Sequence, residues 1–408
     1  VHLGMDEAVL LGLGKYLREN GYEKSSVLVR EHCKRVLAIC KKLGLAPMIW
    51  SDMYITANTN GGYYEIPAGA DCSSWEKPEK GLGLVYWDYY HNDEKSYERM
   101  LDIHRQLSDD VIFAGGSWIW NGISPNYSKT FACTRAALQT CKKYQMKEVL
   151  CTAWLDNGAE TPVDAVWPGV ALFAHLGFHL EYSEKVLEQE FKECVGANLK
   201  DFMALDAFDS LFLNGKANQE TQNPSKYLLY QDPMTGIFDQ EVVMSGVDTG
   251  AYYEKLKEEM AACQENSPAY AALFAYYEKL AAVLADKADL GVRMKAAYDK
   301  NQLLALKEIC EKEIPEIIQN LEEMKVLREE LWMSEAKPFG YELIDVKLGA
   351  VITRLHSASR RVKKYLEGSI PQLEELEEVR LPYFDKNTHK RENRWSQIIS
   401  GSDLIDTI

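Results

Sequence analysis

From Val1 to about Leu180, short apolar runs alternate with stretches whose apolar residues recur three and four positions apart. Short, continuously apolar runs predict buried strands, and the three-four spacing predicts helices with one face on a core. The runs Val1–Leu3, Ala46–Trp50, Gly83–Asp88, Val111–Gly116 and Glu148–Trp154 read as five strands. Helices are expected over Ser25–Leu43, ended by Gly44, then over Glu94–Leu107, Thr130–Tyr144 and, long and apolar, Val163–His179. A long loop containing Asn60-Gly61-Gly62 follows the second run. Strands alternating with helices predict β/α units on a parallel sheet.

Beyond Tyr182 the strand signals fade and helical spacing takes over. Helices are expected over Glu184–Cys194, Leu199–Phe212, Tyr252–Cys263, Ala269–Ala285, Val292–Glu313, Glu316–Glu335, Val346–Leu366 and Gln372–Val379, with a loop at Tyr230–Asp239. Pro315 lacks an N–H and should start a new helix or kink the one before it. Ile314, Ile317, Leu321, Met324, Leu327 or Arg328, and Leu331 form a seam for packing against other helices of the same chain. The polar tail after Asp385 is expected to be loosely held.

Length and composition narrow the class. A chain of 408 residues favours two domains, and 46% apolar content suffices for proper cores. No apolar run approaches the roughly 18 residues of a membrane span. A net charge of -16 argues against nucleic acid or an anionic membrane as partner and favours a neutral or small substrate. Nine cysteines without a Cys-x-x-Cys pair read as reduced thiols of a cytoplasmic protein. His175 and His179 are separated by Leu-Gly-Phe, with no glutamate of a zinc-protease helix, so they read as a histidine pair and not a metal site. Val1 is not a start methionine and no secretory signal follows it, so the chain reads as part of a longer one.

The chemistry concentrates at strand ends. After the opening run, Gly4 lets the backbone turn, and Asp6 and Glu7 stand side by side where strand becomes loop. Two adjacent carboxylates repel when both are ionised, so one is expected to hold its proton longer, giving a weak acid beside a charged carboxylate. Residues i and i+2 of a strand share a face. Trp50 pairs in this way with Asp52, Tyr86 with Asp88, Trp118 with Trp120, and Trp154 with Asp156. A tryptophan floor with a few carboxylates suits a sugar, whose C–H face packs on indole while its hydroxyls donate to carboxylate oxygens. Trp75, Trp87 and Trp167 fall outside the spacing and read as packing residues.

The opening strand, Gly-x-Asp-Glu and helix resemble the strand-four signature of the glycoside hydrolase family 20 β-N-acetylhexosaminidases. Tyr86-Trp87-Asp88 resembles the family's strand-six motif and Trp154-Leu155-Asp156 its strand-eight motif. Tyr227-Leu228-Leu229-Tyr230-Gln231-Asp232-Pro233 and Lys337-Pro338-Phe339-Gly340-Tyr341-Glu342 resemble motifs of the helical C-terminal domain of bacterial members. The resemblance implies an α/β fold: a partial (β/α)8 TIM barrel holding strands four to eight over residues 1–182, an all-α domain over 183–385, and a polar tail over 386–408. Strands one to three, with the family's strand-one arginine and the aspartate and histidine near strand three, would lie upstream of Val1.

The activity implied is removal of terminal β-linked N-acetylhexosamine from a glycan or glycoside by a retaining, substrate-assisted mechanism, without metal or organic cofactor. Glu7 would be the general acid/base. Asp6 would orient the acetamido N–H, and Tyr86 would hydrogen-bond the acetamido oxygen. Trp50, Trp154 and either Trp118 or Trp120 would wall the sugar pocket. Asp156 would bind outer hydroxyls, with Asp88 as a further hydroxyl ligand. A homodimer built partly through the helical domain is expected. The alternative is an inactive structural or sugar-binding fragment of such an enzyme. A glycosidase with its own carboxylate nucleophile would need a second carboxylate about 5 Å from Glu7.

Overall fold

The computed structural model describes residues 1–59 and 61–384. Asn60 of the expected loop and the polar tail lie outside the described residues. The chain divides into two compact units. One comprises Val1–Gly116, Thr130–Thr152 and Leu172–Tyr182, and the other Ser117–Lys129, Ala153–Ala171 and the chain from Ser183 onward.

The first unit is built on a parallel sheet of β1 (Met48–Trp50), β2 (Gly83–Trp87), β3 (Val111–Gly116) and β4 (Val149–Thr152), in that spatial order. Met48 pairs with Gly83, Tyr86 with Phe113 and Phe113 with Val149. Two helices, α1 (Gly14–Asn20) and α2 (Ser25–Lys42), precede β1, and α3 (Asp52–Thr59), α4 (Glu94–Leu107) and α5 (Tyr127–Lys143) run between the strands. Asp93 starts α4 by accepting the Ser96 N–H at 3.0 Å, the preferred role of a short acidic side chain at a helix entry. Tyr97, Met100, Leu101 and His104 then fall three and four apart and are all buried. Tyr86 and Phe113 of the sheet are fully buried, each contributing on the order of 1.5–3 kcal/mol. Gly115 is needed for close approach, since a Cβ there would sit 2.7 Å from the ring of Phe173.

The opening run corrects one expectation. Met48 N–H donates to Val1 O at 2.8 Å, and Leu3 N–H donates to Met48 O at 2.9 Å, so Val1–Leu3 lies parallel to β1. It forms only a single bridge, His2 to Met48, because Gly4 and Met5 turn away at φ +72° and +70° before the ladder lengthens. Among the described residues the sheet therefore has four strands and one bridge rather than five strands.

The second unit is helical. It contains α6 (Asp156–Ala159), α8 (Glu184–Val195), α9 (Leu199–Met203), α10 (Pro224–Tyr230), α11 (Asp239–Ser245), α12 (Thr249–Asn266), α13 (Ala271–Lys287), α14 (Leu290–Asp299), α15 (Leu303–Glu308), α16 (Ile314–Glu335), α17 (Tyr341–Leu366) and α18 (Glu374–Glu377). The central helix is α13, which packs against α12 and α16 and buries Phe274, Tyr277, Leu280 and Leu284. The seam of α16 lies inside this bundle, with Arg328 rather than Leu327 as its buried member.

Three expected helices are interrupted. Val163–His179 becomes a 3-10 turn, Val163–Val166, followed by α7 (Trp167–Phe178), because Pro168 fits only the first turn of a helix. Val292–Glu313 is cut at Asn301, whose φ of +52° is the left-handed conformation that ends helices. Leu199–Phe212 is α9 followed by a 3-10 turn at Ala204–Asp209. Pro315 acts as expected: a π-turn at Ile309–Glu313 precedes α16, relieving the missing donor.

Candidate functional site

Asp6 and Glu7 follow directly on the segment paired with β1, and Trp50 N–H at the end of that strand donates to Gly4 O at 3.1 Å. Both carboxylate side chains are exposed. The backbone that carries them is unusual, with Gly4, Met5 and Glu7 all in the left-handed region and Glu7 at φ +49°. For Met5 and Glu7 that costs on the order of 1–2 kcal/mol each, so neighbouring contacts must hold it.

Those contacts come from the first turn of α3 and from α2. Asp52 Oδ2 accepts the Glu7 N–H at 2.7 Å, and Met53 Sδ receives the Ala8 N–H at 3.3 Å. The Cys33 thiol donates to Met5 Sδ at 3.7 Å. Asp52 is 3% exposed, and its other oxygen accepts the Trp87 indole N–H at 3.4 Å. Burial raises the Asp52 carboxyl above its ordinary range, opposed by the Glu7 and Trp87 donors and aided by the charge on Asp6. His2 packs its ring 4.3 Å from Trp50, and burial lowers its basicity although Asp6 pulls the other way.

Trp87 lies flat on Tyr63 at 4.8 Å and on Tyr89 at 5.7 Å, so three aromatic rings stack beside Asp52. Tyr63 is fixed from behind by a buried chain of hydrogen bonds. Its hydroxyl meets Ser51 Oγ at 2.7 Å, Ser51 Oγ meets His104 Nε2 at 2.7 Å, and His104 Nδ1 meets Met100 O at 2.6 Å. Burial pulls His104 down to about 4, so it is neutral, with Nδ1–H donating to the carbonyl and Nε2 accepting.

The strand register puts Tyr86 and Asp88 on the other face of β2 from Trp87, both buried. The Tyr86 ring packs 4.7 Å from His104 of α4 and 5.4 Å from Phe113, and the residue is fully buried. Its hydroxyl donates to Asp88 Oδ2 at 2.7 Å, and His91 Nδ1 reaches the same oxygen at 2.8 Å. The residues of this strand end on the Trp50 and Asp52 side are Trp87 and Tyr89, one position out of step with the expected pair. The alternation that pairs 86 with 88 also pairs 87 with 89, and nothing local distinguishes the two.

The remaining expected residues belong to the helical unit. Trp118 and Trp120 stack with centroids 4.4 Å apart, 3% and 8% exposed. Their loop is tied down by Asn121 Nδ2 donating to Thr221 O, Asn223 Nδ2 donating to Asn121 O and Asn126 Nδ2 donating to Asn218 O, at 2.7, 2.7 and 2.8 Å. Trp154 is half-buried, and Asp156, the first residue of α6, is exposed. Just after it, Ala159 adopts φ +54° and its carbonyl accepts from Arg328 Nη2 at 3.0 Å. Glu160 is buried among Lys226, Lys347 and the Tyr230 hydroxyl, at 2.5, 3.1 and 2.6 Å. Burial alone would raise this carboxyl, but the two lysines hold it below its ordinary range. In the sheet-containing unit, His175 and His179 at the C-terminal part of α7 and just beyond it have rings 4.6 Å apart.

From within α9 to beyond the described residues, residues 200–395 match the family model described as Glycoside Hydrolase 20C C-terminal domain. The chain carries a glycoside hydrolase family 20 helical domain. No curated protein matches the chain. The match covers the bundle, including Lys226, Tyr230, Arg328 and Lys347, and leaves the parallel sheet with Asp6 and Glu7 outside it. The similarity thus lies in residues 200–395, just under half of the chain, a part that carries neither Asp6 nor Glu7. No helix among the described residues is long and apolar enough to cross a membrane.

Proposed function

We propose that this protein is a β-N-acetylhexosaminidase that removes terminal N-acetylhexosamine with retention, and that its parallel sheet is part of a (β/α)8 barrel. The observation that carries the reading is the family 20 helical-domain match. The adjacent Asp6 and Glu7 at the end of the segment paired with β1 support it.

In this mechanism Glu7 protonates the glycosidic oxygen as the bond to the anomeric carbon breaks. The acetamido oxygen of the substrate attacks that carbon from the opposite side, so the sugar becomes a cyclic oxazolinium and no enzyme carboxylate is consumed as nucleophile. Asp6 stabilises the positive charge developing on the acetamido nitrogen. Glu7, now ionised, takes a proton from the incoming water, which reopens the ring with net retention. Trp50, the Trp118–Trp120 pair and Trp154 are proposed as sugar-packing side chains, and Asp156 as a hydroxyl ligand. Tyr86 and Asp88 support the sheet from its helix side. Nine cysteines without a Cys-x-x-Cys pair support a reducing, cytoplasmic setting, and the protein is proposed to act as a homodimer.

Leaving-group dependence tests the division of labour. Glu7→Gln should abolish turnover of substrates with poor leaving groups and spare those that need no proton, while Asp6→Asn should slow both classes by impairing ring formation. Equal sensitivity of the two variants to leaving-group pKa would contradict the assignment. A thiazoline that mimics the cyclic intermediate should inhibit the wild type, and failure to bind would refute the substrate-assisted route.

A further inference from the structure

The acid of a glycosidase works only if its side chain points at the leaving oxygen, and that direction is set by the backbone at its Cα. Here that backbone sits in a conformation an ordinary residue avoids. Glu7 has φ +49°, and Met5, two residues before it, has φ +70°. Left to itself the segment would relax to the extended or right-handed region. The Glu7 N–H is the group that reports and fixes this torsion, and its partner is the Asp52 carboxylate at 2.7 Å.

We propose that Asp52 is the positioning residue of the catalytic acid, a role that rests on the assignment of Glu7 as that acid. Three features of Asp52 suit it to the task. As the first residue of α3 it sits at the positive end of the helix dipole, which favours its charge. It is 3% exposed, so water does not compete for its oxygens. Both donors that face it are obligate: the Glu7 amide on Oδ2 and the Trp87 indole on Oδ1. A carboxylate satisfies two N–H groups at once, whereas an asparagine offers one oxygen and turns an NH2 group on the second donor. Asp52→Asn therefore retains at most one of the two bonds, and Asp52→Ala retains neither.

The prediction is specific to proton donation. A misplaced acid by about 1 Å costs up to about a hundredfold in rate. In the full-length chain, Asp52→Ala should lower kcat on nitrophenyl N-acetyl-β-glucosaminide by roughly ten- to a hundredfold with KM little changed. The loss should largely vanish on the dinitrophenyl glycoside, whose leaving group departs without a proton. Asp52→Asn should fall between wild type and Asp52→Ala, and it supplies the measurement if the alanine variant does not fold. Equal losses on both glycosides, or no loss on either, would overturn the proposal, because general damage to the fold does not discriminate between leaving groups. Glu7→Gln run alongside separates the two levels of the argument. If Glu7→Gln shows the leaving-group dependence and the Asp52 variants do not, only the role of Asp52 falls. If Glu7→Gln itself shows none, the assignment of the acid falls.

Discussion

Glu160→Gln removes one charge from a place where water cannot replace it. Glu160 is 5% exposed, and the side chains of Lys226 and Lys347 are 0% and 6% exposed. Lys347 Nζ bonds Oε1 at 3.1 Å, and Tyr230 donates to the same oxygen at 2.6 Å. Lys226 Nζ lies 2.5 Å from Oε2 but at an angle poor for a hydrogen bond, so that contact is chiefly Coulombic. The amide keeps one acceptor oxygen and takes the Glu160 charge away from two buried ammonium groups. Breaking a buried pair from one side costs about 3–5 kcal/mol, and the cost here should fall in that range. The assay is guanidinium denaturation at neutral pH, read as a lowered midpoint with the slope unchanged. Adding Lys226→Met should recover part of the loss, since removing both members of a buried pair is far less costly than removing one. The sign with pH follows from the lowered carboxyl: the stabilisation is present above the unfolded carboxylate value and is lost as pH falls through the folded one. Wild type and Glu160→Gln should therefore converge on acidification. A loss below about 1 kcal/mol, or a double variant worse than the sum of its singles, would refute the reasoning.

Burial raises Asp209 to about 7, even though it accepts from Ser225 N, Ser225 Oγ and Ser124 Oγ at 3.0, 2.6 and 3.2 Å. Because the folded state keeps this proton when the unfolded chain has lost it, the associated stability is present below the unfolded value and lost as pH rises through about 7. Asp209→Asn should thus match wild type near pH 4 and exceed it at pH 8, by on the order of 4 kcal/mol at the upper limit, and parallel denaturation curves at all pH values would contradict this. The proposed homodimer predicts a concentration-dependent sedimentation coefficient, and monomer alone at every concentration tested would remove it.

Local patterning alone determined much of this molecule. The bounds of α4 and β3 follow from spacing that any reading of Glu94–Leu107 and Val111–Gly116 recovers, because a helix face and a buried strand are set by residues a few positions apart. The helical half, the seam of α16 and the break at Pro315 were legible for the same reason. The Asp6-Glu7 pair stood out because its chemistry is written in adjacent residues. What the tertiary structure decided was which side of each element faces what. Alternation in β2 separates Tyr86 and Asp88 from Trp87 and Tyr89, but only the packing of His104 and Tyr97 on one side and Asp52 on the other says which pair faces the helices. The partners of Glu160 stand 66 and 187 residues further along the chain, and Asp52 meets Glu7 across 45 residues. No periodicity encodes such meetings. They arise when the chain folds back on itself, and there burial turns ordinary carboxylates into the groups that hold the loops in place.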